Sequence, residues 1–140
     1  TFSRPGCRFR PFPLDVTVRG AKGRVAMVYK GSCHCGQVAF EVEGELQTAI
    51  CCNCSICARK GALLWAVPRG RMKLSGAPSM GRYTFGRHAI AHRFCTTCGI
   101  HTHGEDTDLS GEPSVYLNIR CLQEIDLATV PVQNFDGRSM

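Results

Sequence analysis

Ten cysteines in 140 residues constrain this chain more than any other feature, and their spacing decides what they can do. Cys33 and Cys35 form C-x-C in "GSCHCGQ", Cys52, Cys54 and Cys57 form C-x-C-x-x-C in "CCNCSICARKG", and Cys95 and Cys98 form C-x-x-C-G in "FCTTCGIH". Thiols set two or three residues apart converge on one point, which suits a metal ion better than a set of long-range cross-links. A disulfide scaffold or a redox-active C-x-x-C is the competing reading. Residues 1–26 contain no apolar core of the length a secretory signal needs, so the expected compartment is the reducing cytoplasm, where thiolate ligands persist.

Zinc takes about four ligands in a tetrahedron, and the thiolate is the ligand form. Cys33, Cys35, Cys95 and Cys98 supply four sulfurs, and a glycine, Gly36 or Gly99, follows each pair to let the chain turn around the ion. That set reads as a structural zinc site, and it ties residues 33–35 to residues 95–98. Cys52, Cys54 and Cys57 supply three sulfurs, and three protein ligands with a fourth position open is the arrangement of a reactive zinc. Two zinc ions per chain are therefore expected. The same triplet also reads as a closed structural site completed by His101, His103 or Cys121. Cys51 adjoins Cys52, and neighbours on a strand point to opposite faces, so Cys51 is assigned to the core. Cys7 and Cys121 read as unpaired thiols, the second of them buried after an apolar strand.

The length suits one domain with a substantial core. Of the formal charge of +6, residues 1–26 carry +5: Arg4, Arg8, Arg10, Arg19, Lys22 and Arg24 face only Asp15. Those residues lack apolar periodicity and are broken by Pro5, Pro11 and Pro13, so they read as a basic, flexible N-terminal extension. Residues 27–140 read as a single zinc domain that is nearly neutral, and nucleic acid is not an expected partner. No apolar run reaches membrane-spanning length.

Patterning predicts an all-β protein. "QVAFEVEG" sets Val38, Phe40 and Val42 against polar neighbours at period two, and "LQTAICC", "ALLWAVP", "RMKLSG", "GRYTFG", "AIAHRFC" and "SVYLNIRCL" supply further short strands between Gly, Pro and Ser. "SICARKG" predicts one helical turn stopped by Gly61. About eight strands with tight turns indicate a zinc-stapled β-tent or distorted sandwich of short antiparallel strands. Trp65, inside an apolar run, reads as core.

The segments "GSCHCGQVAFEV", "CNCSICARKG", "HRFCTTCGIHTH", "LNIRCLQEIDL" and "NFDGRS" together resemble the glutathione-dependent formaldehyde-activating enzyme family, which also includes centromere protein V. The resemblance spans about residues 27–138, and three Cys motifs in this order are specific where one C-x-x-C is weak. It implies a β-tent with two zinc ions, the structural one at Cys33, Cys35, Cys95 and Cys98 and the catalytic one at Cys52, Cys54 and Cys57. It further implies S-(hydroxymethyl)glutathione synthase activity, a carbon–sulfur lyase class, with glutathione and formaldehyde as substrates. Many members place His between the first two catalytic cysteines, where this chain has Asn53.

In that reading the second zinc accepts the glutathione thiol and the protein supplies positive charge nearby, with Arg59 and Lys60 as the local candidates. His92, His101 and His103 flank the second knuckle, and any of them can move a proton near neutral pH or orient a ligating sulfur; His92 joins Arg59 as a candidate catalytic residue. Two alternatives remain at this level. One is the same chemistry on another small thiol or aldehyde, and the other is a non-catalytic zinc-stapled module that binds protein or nucleic acid. The module has no need of an open coordination position.

Overall fold

The computed structural model describes residues 27–139; the basic segment 1–26, with Cys7, lies outside the described residues. The elements are β1 (Met27–Ser32), β2 (Ala39–Gly44), β3 (Ala49–Cys52), α1 (Ser55–Lys60), β4 (Leu64–Pro68), β5 (Met72–Ser75), β6 (Met80–Tyr83), β7 (Ile90–Cys95), β8 (His101–Asp106), β9 (Ser114–Asn118) and β10 (Val132–Phe135). The all-β expectation holds, with ten strands among the described residues rather than about eight. The strands that patterning passed over are β1, β8 and β10. The helical turn at 55–60 forms and ends at Gly61, whose φ of 69° is the left-handed conformation that stops a helix.

The strands make two sheets, one in the order β1-β2-β5 and one in the order β10-β3-β4-β9-β8-β7-β6. Pairing is antiparallel except between β10 and β3, which run parallel with Asn134 opposite Cys51 and Phe135 opposite Cys52. That single parallel pair departs from the purely antiparallel expectation. It carries the C-terminal "NFDGRS" segment to the end of β3, beside the central cysteines.

Period-two alternation gives the larger sheet two different faces. Cys51, Trp65, Val67, Val115 and Leu117 turn inward and pack with Phe40 and Val42 of the smaller sheet, together with Ile119 and Leu122. Cys51 is 3% exposed and Trp65 is 7% exposed, both in the core as the alternation requires. Tyr29 closes edge-on against Trp65 with ring centroids 5.3 Å apart. Burying each of these large side chains contributes about 1.5–3 kcal/mol, so this layer carries much of the fold's stability. The intervening residues Ile50, Cys52, Leu64 and Tyr116 face the other side of the same sheet, where they line a cavity.

A β-bulge modifies that face. Arg93 pairs with His103 and Phe94 with His101, so Thr102 is the extra residue between them. Two-residue spacing would put His101 and His103 on one face; the inserted residue puts them on opposite faces. The Asn118 side chain donates to the His101 carbonyl at 2.9 Å and fixes the bulge.

Candidate metal centre and adjoining cavity

The loop between β1 and β2 brings Cys33 and Cys35, and the turn between β7 and β8 brings Cys95 and Cys98, so the four-sulfur cluster joins the smaller sheet to the larger. Gly36 and Gly99 adopt φ of 85° and 80°, the left-handed turns a side chain would oppose. All four sulfurs lie within 4.8 Å of one another. Cys33 to Cys35 and Cys35 to Cys95 are each 3.6 Å. A tetrahedron with Zn–S near 2.3 Å has sulfur–sulfur edges of about 3.8 Å, so the set fits a zinc-sized ion. Backbone amides point at the sulfurs as thiolates need, from Val38 to Cys33 at 3.4 Å and from Thr97 to Cys95 at 3.3 Å. Amides of Cys35 and Ile100 bring the Cys98 thiol down to about 6.

Cys52 ends β3, Cys54 is the residue before α1, and Cys57 lies on its first turn. Their sulfurs also lie within 4.8 Å of one another, and among the described residues no fourth Cys, His, Asp or Glu joins them. His101, His103 and Cys121, the residues that would close such a site, are outside the group. Cys121 instead donates toward the His101 carbonyl at 3.6 Å. Its thiol is raised to about 11 by burial and by the neighbouring charges of Cys33 and Cys98.

Burial pushes the Cys57 thiol up to about 12, with Cys54 and Cys52 adding to the effect. Burial acts to raise Cys54, but hydrogen bonds from the Cys57 amide, from the Cys57 and Cys52 thiols and from the Ile56 amide together outweigh it and leave its pKa lowered. Three such thiolates cannot share this volume without a cation, which is the donor chemistry of a metal cup.

The cup opens on a cavity of about 460 Å³. Lys60, on the last turn of α1, reaches into it, and its Nζ lies 3.2 Å from His92 Nδ1 and 3.1 Å from His101 Nε2. Burial lowers the Lys60 pKa, while the charges of Cys57, Cys54 and Cys52 act to raise it. His92 is pushed down to about 4 and His101 to about 3, each first by burial and then by the Lys60 charge. Both rings are therefore neutral at pH 7 and accept from the ammonium.

Arg59, the other cation after Cys57, is exposed and donates to the Ser55 carbonyl at 2.8 Å, outside the cavity lining. Of the three histidines, His92 and His101 face the cavity and His103 does not. His103 is 1% exposed and sits 3.7 Å from Glu105, which Arg93 also holds at 3.0 Å. Tyr116 lines the cavity with its ring, while its hydroxyl donates to Asp106 at 2.9 Å.

Asn53 faces away from the open side of the cup. Its Nδ2 donates to Asp136 Oδ1 at 2.9 Å, and its Oδ1 accepts from the Arg138 amide at 2.9 Å. The residue between the first two cup cysteines thus ties the cup to the C-terminal segment. Gly137 packs there so closely that an added Cβ would sit 2.7 Å from Cys52 Sγ. Sequence reasoning missed this strap, although "NFDGRS" was its signal.

Fold and site together define a small β protein with two cysteine clusters able to hold metal, one stapling its sheets and one facing a cavity. Residues 28–135 match the family model for the glutathione-dependent formaldehyde-activating enzyme, and the chain belongs to that family. The family is described by glutathione-dependent activation of formaldehyde. A crystal structure of a Rhodobacter sphaeroides protein is 34% identical, aligned over 74% of this chain and 99% of that one, with a TM-score of 0.64. No helix among the described residues is long and apolar enough to cross a membrane.

Proposed function

We propose that this chain is a zinc-dependent enzyme of the carbon–sulfur lyase class that adds formaldehyde, or a related aldehyde, to the thiol of glutathione or a similar small thiol. One observation carries the reading: three converging sulfurs with no fourth donor among the described residues, at the wall of a cavity. Residues 27–140 act as one unit with two zinc ions, the four-sulfur set stapling the sheets and the three-sulfur set serving the reaction. Cys52, Cys54 and Cys57 would hold the second zinc ion, which when bound would lower the pKa of an incoming thiol toward the nucleophilic thiolate. A zinc-stapled interaction module has no use for that open side. A site of reduced thiols fits a reducing compartment such as the cytoplasm.

The rest of the chemistry falls to Lys60. An ammonium has three N–H donors, and its contacts go to two rings: His92 at Nδ1, and His101 at Nε2 with Nδ1 farther off at 3.5 Å, so one donor serves each ring. The third is available to the aldehyde oxygen. As the sulfur–carbon bond forms, the carbonyl π pair moves to oxygen, which takes a proton from Lys60; the proton given up by the thiol restores the ammonium. The two neutral imidazoles hold Nζ in place, and its positive charge offsets the excess negative charge of three cysteinates.

The test mixes glutathione and formaldehyde with zinc-loaded protein and follows adduct formation by exchange NMR against the spontaneous rate. Acceleration that disappears in Cys54→Ser is expected. No acceleration by fully loaded protein would remove the proposal.

A further inference from the structure

The cavity beside the cup is far larger and far less polar than formaldehyde needs. Formaldehyde has two heavy atoms and takes little more than the roughly 30 Å³ share of a water molecule. The cavity is about 460 Å³. Its polar groups are the three sulfurs, Lys60, His92 and His101, with Arg87 at the edge, and the walls are otherwise apolar, among them Ile50, Ile56, Leu64, Ile90 and the ring of Tyr116. The Tyr116 hydroxyl is already committed to Asp106.

Glutathione is a poor candidate for this space, because its two carboxylates and its ammonium need partners that such walls lack. Lys60 and Arg87 are the only charged side chains lining the cavity among the described residues, no acidic one does, and Arg87 is exposed at the rim. The charged ends of the tripeptide therefore stay at the mouth, and the interior is left for the other reactant. Apart from Arg87 the rim carries aromatic rings: Phe85 is 39% exposed and stacks on His92 with centroids 5.5 Å apart, and Phe135 is 46% exposed. Most of the walls belong to paired strands. On the floor, Gly104 lacks the Cβ that would lie 3.1 Å from Ile90 Cγ2 and 3.8 Å from Tyr116 Cδ2, so the shape is built before any ligand arrives.

We propose that this cavity holds an apolar substituent on the carbonyl substrate, so that the preferred aldehyde carries an aliphatic chain or aromatic ring of several carbons. The inference rests on the aldehyde–thiol reaction proposed above. The balance is unchanged: a sulfur–carbon bond forms, the carbonyl oxygen gains the proton the thiol loses, and no oxidant or reductant takes part.

Unreactive straight-chain primary alcohols, from methanol to hexanol, probe the cavity directly by titration calorimetry on the zinc-loaded protein. Burial of each methylene tightens binding about fourfold, and the series rises by about three orders of magnitude. Leu64, which faces Ile50 across β4 and β3, gives the blocking variant. Leu64→Trp flattens the series, and Leu64→Ala, which adds space, preserves it. With glutathione as the thiol, kcat/KM rises from formaldehyde to hexanal.

A flat alcohol series in wild-type protein overturns the inference, and so does a length dependence that follows the thiol instead of the aldehyde. Formaldehyde–glutathione acceleration alongside a flat series sinks this inference and leaves the reaction standing. Steep alcohol binding in a protein that accelerates no aldehyde–thiol addition sinks the reaction and leaves the cavity's ligand class supported.

Discussion

Replacing Gly137 with alanine tests whether the C-terminal strap is part of the metal cup. The new Cβ would lie 2.7 Å from Cys52 Sγ and 3.2 Å from Cys54 Cβ. Ordinary contact is about 3.5–4.0 Å, so the overlap with sulfur approaches 1 Å. Cys52 has one side-chain torsion, and its sulfur already accepts from the Cys54 amide at 3.4 Å, so swinging it aside takes it out of the cup. The strap has little freedom to retreat. Asn53 holds it at Asp136 and at the Arg138 amide, and the Asn53 amide donates to the Phe135 carbonyl at 3.2 Å.

Overpacking of this kind costs about 1–3 kcal/mol. Charged against metal binding, that is a loss of between about fivefold and about 150-fold in zinc affinity at Cys52, Cys54 and Cys57. The four-sulfur cluster contains neither residue and keeps its affinity. Competition with a chromophoric zinc chelator measures both populations in one titration. Gly137→Ala should show one shifted phase and one unchanged phase, with circular dichroism like that of the parent. Two unshifted phases would refute the claim that the strap backs the cup.

Lys60→Met removes the ammonium between His92 and His101, and a fall in kcat of at least about tenfold is expected from the loss of a positioned proton donor. Arg59→Met, at an exposed side chain bonded to its own helix, should change kcat by less than about twofold; equal effects of the two would assign the charge wrongly. His103 gives a pH prediction. Its folded pKa is about 4, first because of burial, below an unfolded value of about 6.5, so the unfolded state binds more protons between those values. Stability contributed by keeping this ring neutral is present above pH 6.5 and is lost as pH falls toward 4, by about 1 kcal/mol at pH 5.5. Urea unfolding at pH 7.5 and pH 5.5 measures the loss, and His103→Gln should reduce it; an identical pH dependence in the variant would count against the assignment.

Much of this molecule is legible in its sequence because the rules involved are local. Close-set cysteines must converge, and Gly36 and Gly99 take the turns that the knuckles require. Alternation places Cys51 in the core and Cys52 at the cavity. The strands that escaped notice are those whose residues hide the pattern. β8 carries His, Thr, Gly, Glu and Asp, and β10 carries Val, Gln, Asn and Phe, so neither presents an apolar face at period two. Their strand character comes from partners across the sheet, which a local pattern does not contain.

The same distinction explains the side chains of the site. Arg59 and Lys60 are adjacent in sequence and equal in charge. On a helix, however, consecutive residues diverge by about 100°, so only one of them can face the cavity that Cys57 borders. The choice of Lys60 follows from where the fold sets α1, so that the Lys60 side chain reaches His92 of β7 and His101 of β8, which is a tertiary fact. The histidines depend on a single residue in the same way. Thr102 interrupts the register between β7 and β8, and this sends His101 toward Lys60 and His103 toward Glu105. An unbroken ladder would place both rings on one face. The site would then either lose an imidazole that holds Lys60 or gain a second ring in space the substrate needs. The bulge therefore does more than bend the sheet: it separates a buried neutral ring beside the Arg93–Glu105 ion pair from one that positions the ammonium beside the sulfurs.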